Sequence, residues 1–555
     1  MNSFVIVVIL FFSCYHYTYC DILLSSNGSV IIGRKLYTVF GKHPYSAFCN
    51  IPFAEPPIGD LRFKPPKERK FRINSTIYDF SKPADHTCPT SLNEDCLKLS
   101  IYVPTSNCKN KTLSAVLVWI HENSNFHGPD FFIDEDILVV TISFRTSILG
   151  FLRTGDSFAA GNMGAMDVLM ALKWIKHNIN IFLGDPCRVT IAGSGIGSTI
   201  AASIILSAAA KDLFTRVIVL SGSALSSGDY RPYNFEIERK LYTRLTGSRK
   251  KLNRERFYES LYNASKAKLD WISRGLFDSS EVRDYQSLIT SFGCNIETSI
   301  KQSFMNKSPL EVYERKMANS YVDVMFGFNS LERLNELSGF VSNRKLLNYL
   351  NYNFQYLLPF EGQRAEYNSE RYNRIRKRIM HFYFLNGTIG EQSLRRYAKY
   401  HSDQVVYPLL RQAILHCEAS CKNVYLYRFG FKGAFNIGWK SSVPNLNWTG
   451  ATSGDEICYL FRCKSLNDVY ESDETTAERH FITKVVRLMA NFVKNGHPTP
   501  DGKSNGLKWT PLERGQKIKG MSLTSNLKMI YFPEAKRKKF WDSLRDEFFC
   551  ENIQS

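Results

Sequence analysis

Residues 188–199, RVTIAGSGIGST, carry the punctuation of a nucleophile turn without the nucleophile. The pattern G-x-S-x-G, set between an apolar strand and a small-residue helix, presents a serine for attack on an acyl carbon. Here Gly193 to Gly197 fill the pattern, and its centre is Gly195. Acyl transfer needs an activated oxygen, a base within hydrogen-bond reach and donors aimed at the developing oxyanion. Glycine supplies no oxygen, but it enters positive φ with no Cβ penalty, so it relaxes a strained turn. Ser194 and Ser198 flank the turn, and His121 and His127 follow another strand, so a relocated serine–histidine pair is the alternative. At Ser198 a helix-capping or packing role is the plainer reading.

The elements that must position such a turn are legible. AVLVWI (115–120), ILVVTISF (137–144), RVTIA (188–192), RVIVLSG (216–222), VDVMFGF (322–328) and VYLYRF (424–429) read as buried parallel strands. Between them, 164–183 places Ala165, Leu169, Leu172, Ile175, Ile179 and Phe182 on one helical face. Strand–helix alternation predicts an α/β fold with a mostly parallel sheet covered on both faces. Residues 230–320 and 345–400 are polar and strand-poor and read as helical excursions above the sheet. There is no internal repeat or low-complexity linker, so 21–555 reads as one domain.

The chain has 555 residues, 44% of them hydrophobic, enough to fill a large core. Residues 4–13 form an uncharged apolar run too short to span a bilayer, and Thr18-Tyr19-Cys20 fits a cut before Asp21. Residues 1–20 therefore read as a signal peptide, and no membrane anchor follows, which predicts a secreted protein. Sequons at Asn27, Asn74, Asn110, Asn263, Asn306, Asn386 and Asn447 agree with that compartment. Of thirteen cysteines, eleven follow the predicted cut, so at least one is free or paired between molecules. Cys417-x3-Cys421 and Cys458-x4-Cys463 lack histidine partners at zinc intervals and read as disulfides. No metal or cofactor is implied.

Longer blocks carry a resemblance. IPFAEPPIGDLRFKPP (51–66), NEDCLKLSIYVP (93–104), VVTISFRTSILGFLRTGD (139–156), GNMGAMDVLMALKWIKHNI (161–179) and GDPCRVTIAG (184–193) follow one another as in the type-B carboxylesterase/cholinesterase family, which the chain resembles over about 30–545. The resemblance implies an α/β-hydrolase fold with a gorge above the sheet. It also implies salt bridges Arg62–Glu94 and Arg145–Asp167 and a first disulfide, Cys88–Cys96. The family's elbow serine falls on Gly195. Its acid motif falls on FGFNSLER (326–333), giving Glu332. Its histidine block falls on GATSGDEICYLF (450–461), with Ser453 at the histidine position. The oxyanion-hole glycines fall on Glu122, Asn123 and Ser124. With no histidine, Glu332 has nothing to orient and reads as a solvated or structurally paired carboxylate. The Cys88–Cys96 loop, PTSLNED, lacks the aromatic on which cholinesterases stack choline.

The resemblance extends to non-catalytic members, of the neuroligin-like and glutactin-like kind, and predicts a secreted binding protein in an adhesion, ligand or matrix role. The contrasting expectation is a carboxylic ester hydrolase with relocated catalytic residues. The formal charge is +19, and basic runs include Arg374, Arg376, Lys377 and Arg378, and Lys536, Arg537, Lys538 and Lys539. These predict an extracellular polyanion as partner, either a sulfated glycosaminoglycan or an acidic protein surface, with nucleic acid excluded by compartment. By resemblance the two runs lie on the helices that build a homodimer, where Phe540, Trp541 and Leu544 offer an apolar seam and the like charges oppose it.

Overall fold

In the computed structural model, residues 22–549 are described apart from 25–28, 70–76, 85–87, 89–93, 107–111, 122–126, 227–232, 277–290, 298–302, 338–344, 346–347, 349–350, 352–353, 355–357, 361–368, 385–386, 444–445 and 501–505. An eleven-stranded sheet runs through the molecule. Its strands are β1 (Arg34–Tyr37), β2 (Pro44–Pro52), β3 (Lys98–Pro104), β4 (Ser114–Ile120), β5 (Leu138–Ile142) and β6 (Gly184–Gly193). They continue as β7 (Arg216–Leu220), β8 (Asp323–Asn329), β9 (Val424–Phe429), β10 (Lys519–Leu523) and β11 (Lys528–Tyr531). Their order is β11-β10-β9-β8-β7-β6-β4-β5-β3-β2-β1. From β10 to β5 every pairing is parallel, and the two ends are closed by antiparallel strands.

The central strands are apolar throughout because both faces are covered. Val116, Val118 and Ile120 of β4 pack with helices α1 (Met163–Asn178), α2 (Ile196–Ile204) and α4 (Leu394–Ala419). Leu117 and Trp119, facing the other way, pack with α5 (Thr476–Asn495). The six positions assigned to one face of 164–183 are all buried. Between β7 and β8 lie helices Phe235–Thr246, Arg254–Asn263, Lys266–Ile272 and Pro309–Glu314, and α3 (Glu370–Tyr383) precedes α4. The last helix, α6, spans Ala535–Phe549.

Two ion pairs, one buried and one partly buried, brace the framework. Arg145 donates to Asp167 through its backbone N–H, Nε and Nη2, the side-chain contacts at 2.8 and 2.7 Å. Arg62 holds Glu94 at 2.9 and 2.6 Å and caps the carbonyls of Leu261 and Tyr262. Disulfides join Cys88 to Cys96 and Cys458 to Cys463. Cys417 and Cys421 are free thiols, contrary to the expected pairing. The reason is directional. Cys417 lies in the last turn of α4 with Sγ on the Leu512 carbonyl, while Cys421 lies beyond the helix end with its N–H on Ser320.

Candidate functional site

The turn at Gly195 keeps the geometry of a nucleophile elbow. β6 ends at Gly193, α2 begins at Ile196, and Gly195 between them has φ 59° and ψ −134°. Side chains are nearly excluded from that region, which glycine enters freely. The turn is also tight: a Cβ on Gly193 would lie 2.2 Å from the Gly197 carbonyl oxygen. Ser194 N–H donates to Ile120 O at the end of β4. Ser198 is buried, and its Oγ donates to Gly195 O at 2.6 Å. That hydroxyl serves the turn. Gly195 itself is exposed to a cavity of about 390 Å³, lined also by Ser147, Phe151, Ser221 and Arg333.

Glu332, just past β8, is fully buried and structurally paired, not solvated. Its Oε1 accepts from Ser221 Oγ at 2.6 Å and from Asn329 N–H at 2.5 Å. Its Oε2 accepts from the Ser453 hydroxyl. Ser453 Oγ in turn accepts from Arg333 N–H at 2.9 Å, and Thr452 Oγ1 accepts from Leu334 N–H at 3.0 Å. The expectation that Glu332 has nothing to orient is therefore corrected. It orients Ser453, and together they clamp the 450–455 loop onto the end of β8.

Two further groups escaped the sequence reading, Ser221 and Glu456. Glu456 lies in the same GATSGDEICYLF block, three residues after Ser453, so the sequence does offer a second acid there. Ser221, the last residue but one of RVIVLSG, follows β7 with a positive φ of 59°, a signal only coordinates give. Glu456 Oε2 accepts from Asn329 Nδ2 at 2.6 Å, and its Oε1 lies 3.4 Å from Ser221 Oγ. Two buried carboxylates thus share one serine and one asparagine. Burial first, then the charge of Glu332, pushes Glu456 up to about 8. Burial also raises Glu332. Like charges this close do not both ionise readily, so the pair tends to keep one proton near neutral pH.

Glu122, Asn123 and Ser124 lie outside the described residues. Their neighbours His121 and His127 are buried in an aromatic stack. Their ring centroids are 4.8 Å apart, and His127 Nδ1 accepts from Trp119 Nε1 at 3.3 Å. Of the sequons, Asn263, Asn306 and Asn447 are exposed, whereas Asn27, Asn74, Asn110 and Asn386 lie outside the described residues.

The basic runs do not act as uniform faces. On α3, Arg374 and Lys377 are exposed, but Arg378 pairs with Glu547 and Arg376 is half-buried. On α6, Lys536 and Lys539 are exposed, while Lys538 reaches Asp542 at 2.6 Å. Arg537 turns inward onto Asp403, at 2.9 and 2.7 Å, because the helical period sends one of four consecutive positions to the core. The apolar seam is also corrected. Trp541 and Leu544 are wholly buried within the chain, beside Tyr383 and Tyr400, and Phe540 stacks on Phe382 at 3.9 Å.

A mostly parallel sheet with helices on both faces and a strand–turn–helix of this geometry define an α/β-hydrolase. The chain belongs to the carboxylesterase family, whose family model matches residues 22–541. It is similar to juvenile hormone esterase of Tribolium castaneum, 28% identical over 554 residues, covering 91% of this chain and 89% of that protein. Acetylcholinesterase 1 of Caenorhabditis briggsae is 35% identical over 247 residues, covering 40% of each. The crystal structure of juvenile hormone esterase from Manduca sexta, with OTFP covalently attached, has the same fold: TM-score 0.77, 21% identity, covering 95% of this chain and 99% of that one.

Proposed function

We propose that this chain is a secreted, non-catalytic member of the carboxylesterase family that acts by binding outside the cell. The observation that carries the reading is the elbow apex. Gly195 holds the backbone angles of the attacking residue and offers nothing to attack with. Removing the nucleophile of a serine hydrolase costs about 10⁶-fold in kcat. The companion position compounds the loss. A serine hydroxyl is no base at neutral pH, and that of Ser453 is already committed between Glu332 and the Arg333 N–H. Ser221, the other hydroxyl on Glu332, donates to that carboxylate and has the Glu456 carboxylate, not an imidazole, as its next neighbour at 3.4 Å.

Secretion is supported by the apolar run at 4–13, by exposed sequons at Asn263, Asn306 and Asn447, and by two disulfides, which persist in oxidising compartments. Among the described residues no helix is long and apolar enough to cross a membrane. The exposed cations Arg374, Lys377, Lys536 and Lys539 favour an acidic extracellular partner.

The test is active-site labelling. Purified protein incubated with a fluorophosphonate probe and with short-chain acyl esters is expected to show no adduct and no burst. Stoichiometric labelling of any serine, located by peptide mapping, would establish the alternative, a hydrolase with relocated catalytic residues.

A further inference from the structure

A second cavity, of about 350 Å³, opens where β8, β9 and β10 end against the first turns of α4 and α6. Four cations line it: Arg395 and Lys399 from α4, Arg428 from β9 and Arg537 from α6. Two carboxylates stand against them. Glu534 accepts from Arg428 Nε at 3.1 Å and lies 3.8 Å from Arg537 Nη2. Asp403 takes the Nε of Arg537 from behind. This fixes Arg428 and Arg537 as a wall of preset guanidinium groups. It also leaves a surplus of two positive charges, on Arg395 and Lys399, which have no ion pair among the described residues.

Arg395 and Lys399 are four residues apart on one helix, so they face the cavity from the same side, where like charges repel. Burial, then the charges of Arg537 and Arg395, pulls the Lys399 ammonium below its usual range. Thr449 adds a hydroxyl group to the lining, while the hydroxyls of Thr524 and Ser330 already donate to Asn526 O and Ala451 O. A rigid guanidinium wall and two cations without ion pairs are what a tetrahedral oxyanion requires. The volume admits the small molecule that carries it.

We propose that this cavity binds the phosphate or sulfate group of a sugar-sized ligand, clamped by Arg395 and Lys399 against Arg428 and Arg537. The assignment goes beyond the non-catalytic reading and stands whether or not the elbow cavity turns over esters. The group can arrive on a free phosphate ester or on a sulfated saccharide chain, and the experiment separates the two.

Full-length secreted protein is titrated calorimetrically with glucose 6-phosphate and with a trisulfated heparin disaccharide, each beside its uncharged counterpart. The same titrations use Arg395→Ala/Lys399→Ala, which alters two exposed helix positions, and Arg249→Ala/Lys250→Ala, which removes equal charge from exposed positions elsewhere. At least one charged probe is expected to bind, its uncharged counterpart to fail, and the first variant to weaken binding about tenfold or more. The second variant is expected to leave binding unchanged. Binding of glucose 6-phosphate alone assigns the site to small phosphate esters, and binding of the disaccharide assigns it to sulfated chains. Absence of binding by both probes, or equal weakening in both variants, overturns the proposal.

Discussion

Replacing Glu456 with glutamine is expected to make this protein more stable in alkali. Glu456 ionises near its ordinary 4.5 when unfolded and near 8 when folded. The folded state therefore keeps a proton that the unfolded chain releases. That contribution to stability is full below about pH 4.5 and is lost as pH rises through about 8, at about 1.4 kcal/mol per pH unit. Over the whole interval the loss is on the order of 3–5 kcal/mol. Glutamine keeps a carbonyl oxygen for Asn329 Nδ2 and places no charge beside Glu332. Urea unfolding of both proteins at about pH 5 and about pH 9 gives the comparison. The wild type should lose several kcal/mol more than the variant between those values. Because the two carboxylates titrate as a pair, Glu332→Gln should flatten the profile too, although it also weakens the Ser453 clamp. Parallel profiles for wild type and Glu456→Gln would refute the shared-proton account.

Gly195→Ala should cost about 1–3 kcal/mol, because φ 59° with ψ −134° is a region that side chains avoid; an unchanged unfolding midpoint would show that the turn relaxes freely. Asp167→Asn leaves Arg145 buried without its carboxylate and should cost about 3–5 kcal/mol, read from denaturant unfolding. Peptide mapping without reductant should recover Cys88–Cys96 and Cys458–Cys463 as linked pairs, with Cys417 and Cys421 alkylated separately after unfolding.

The fold was legible where burial forces composition. β4 to β9 are apolar on both faces, and all six were read as strands. The antiparallel flanks were not. β1, RKLY, alternates half-buried with exposed at the sheet edge, and β11, KMIY, is exposed at both ends. Edge strands are held by a single neighbour and carry little apolar signal. The charge runs misled for a related reason. Four consecutive basic residues on a helix point in four directions, so Arg537 met Asp403 while Lys536 and Lys539 met solvent.

At the site, local conformation was legible and long-range pairing was not. A glycine between strand and helix predicts positive φ, and Gly195 has it. That Ser453 closes onto Glu332, 121 residues away, depends on two loops meeting, which no local pattern encodes. The meeting also explains how a fold can keep its shape while the groups at its reacting positions change. The elbow is fixed by backbone contacts, Ser194 N–H on Ile120 O and Ser198 Oγ on Gly195 O, which require no side chain at position 195. The acid is fixed by Asn329, Ser221 and Ser453, which require no histidine. Arg145–Asp167 and Arg62–Glu94 brace the sheet elsewhere, and neither pair involves position 195, 332 or 453. A Gly195→Ser/Ser453→His double variant tests framework and chemistry together: it should fold with the same two braces, and fluorophosphonate labelling at position 195 then reports how much of the catalytic geometry the framework preserves.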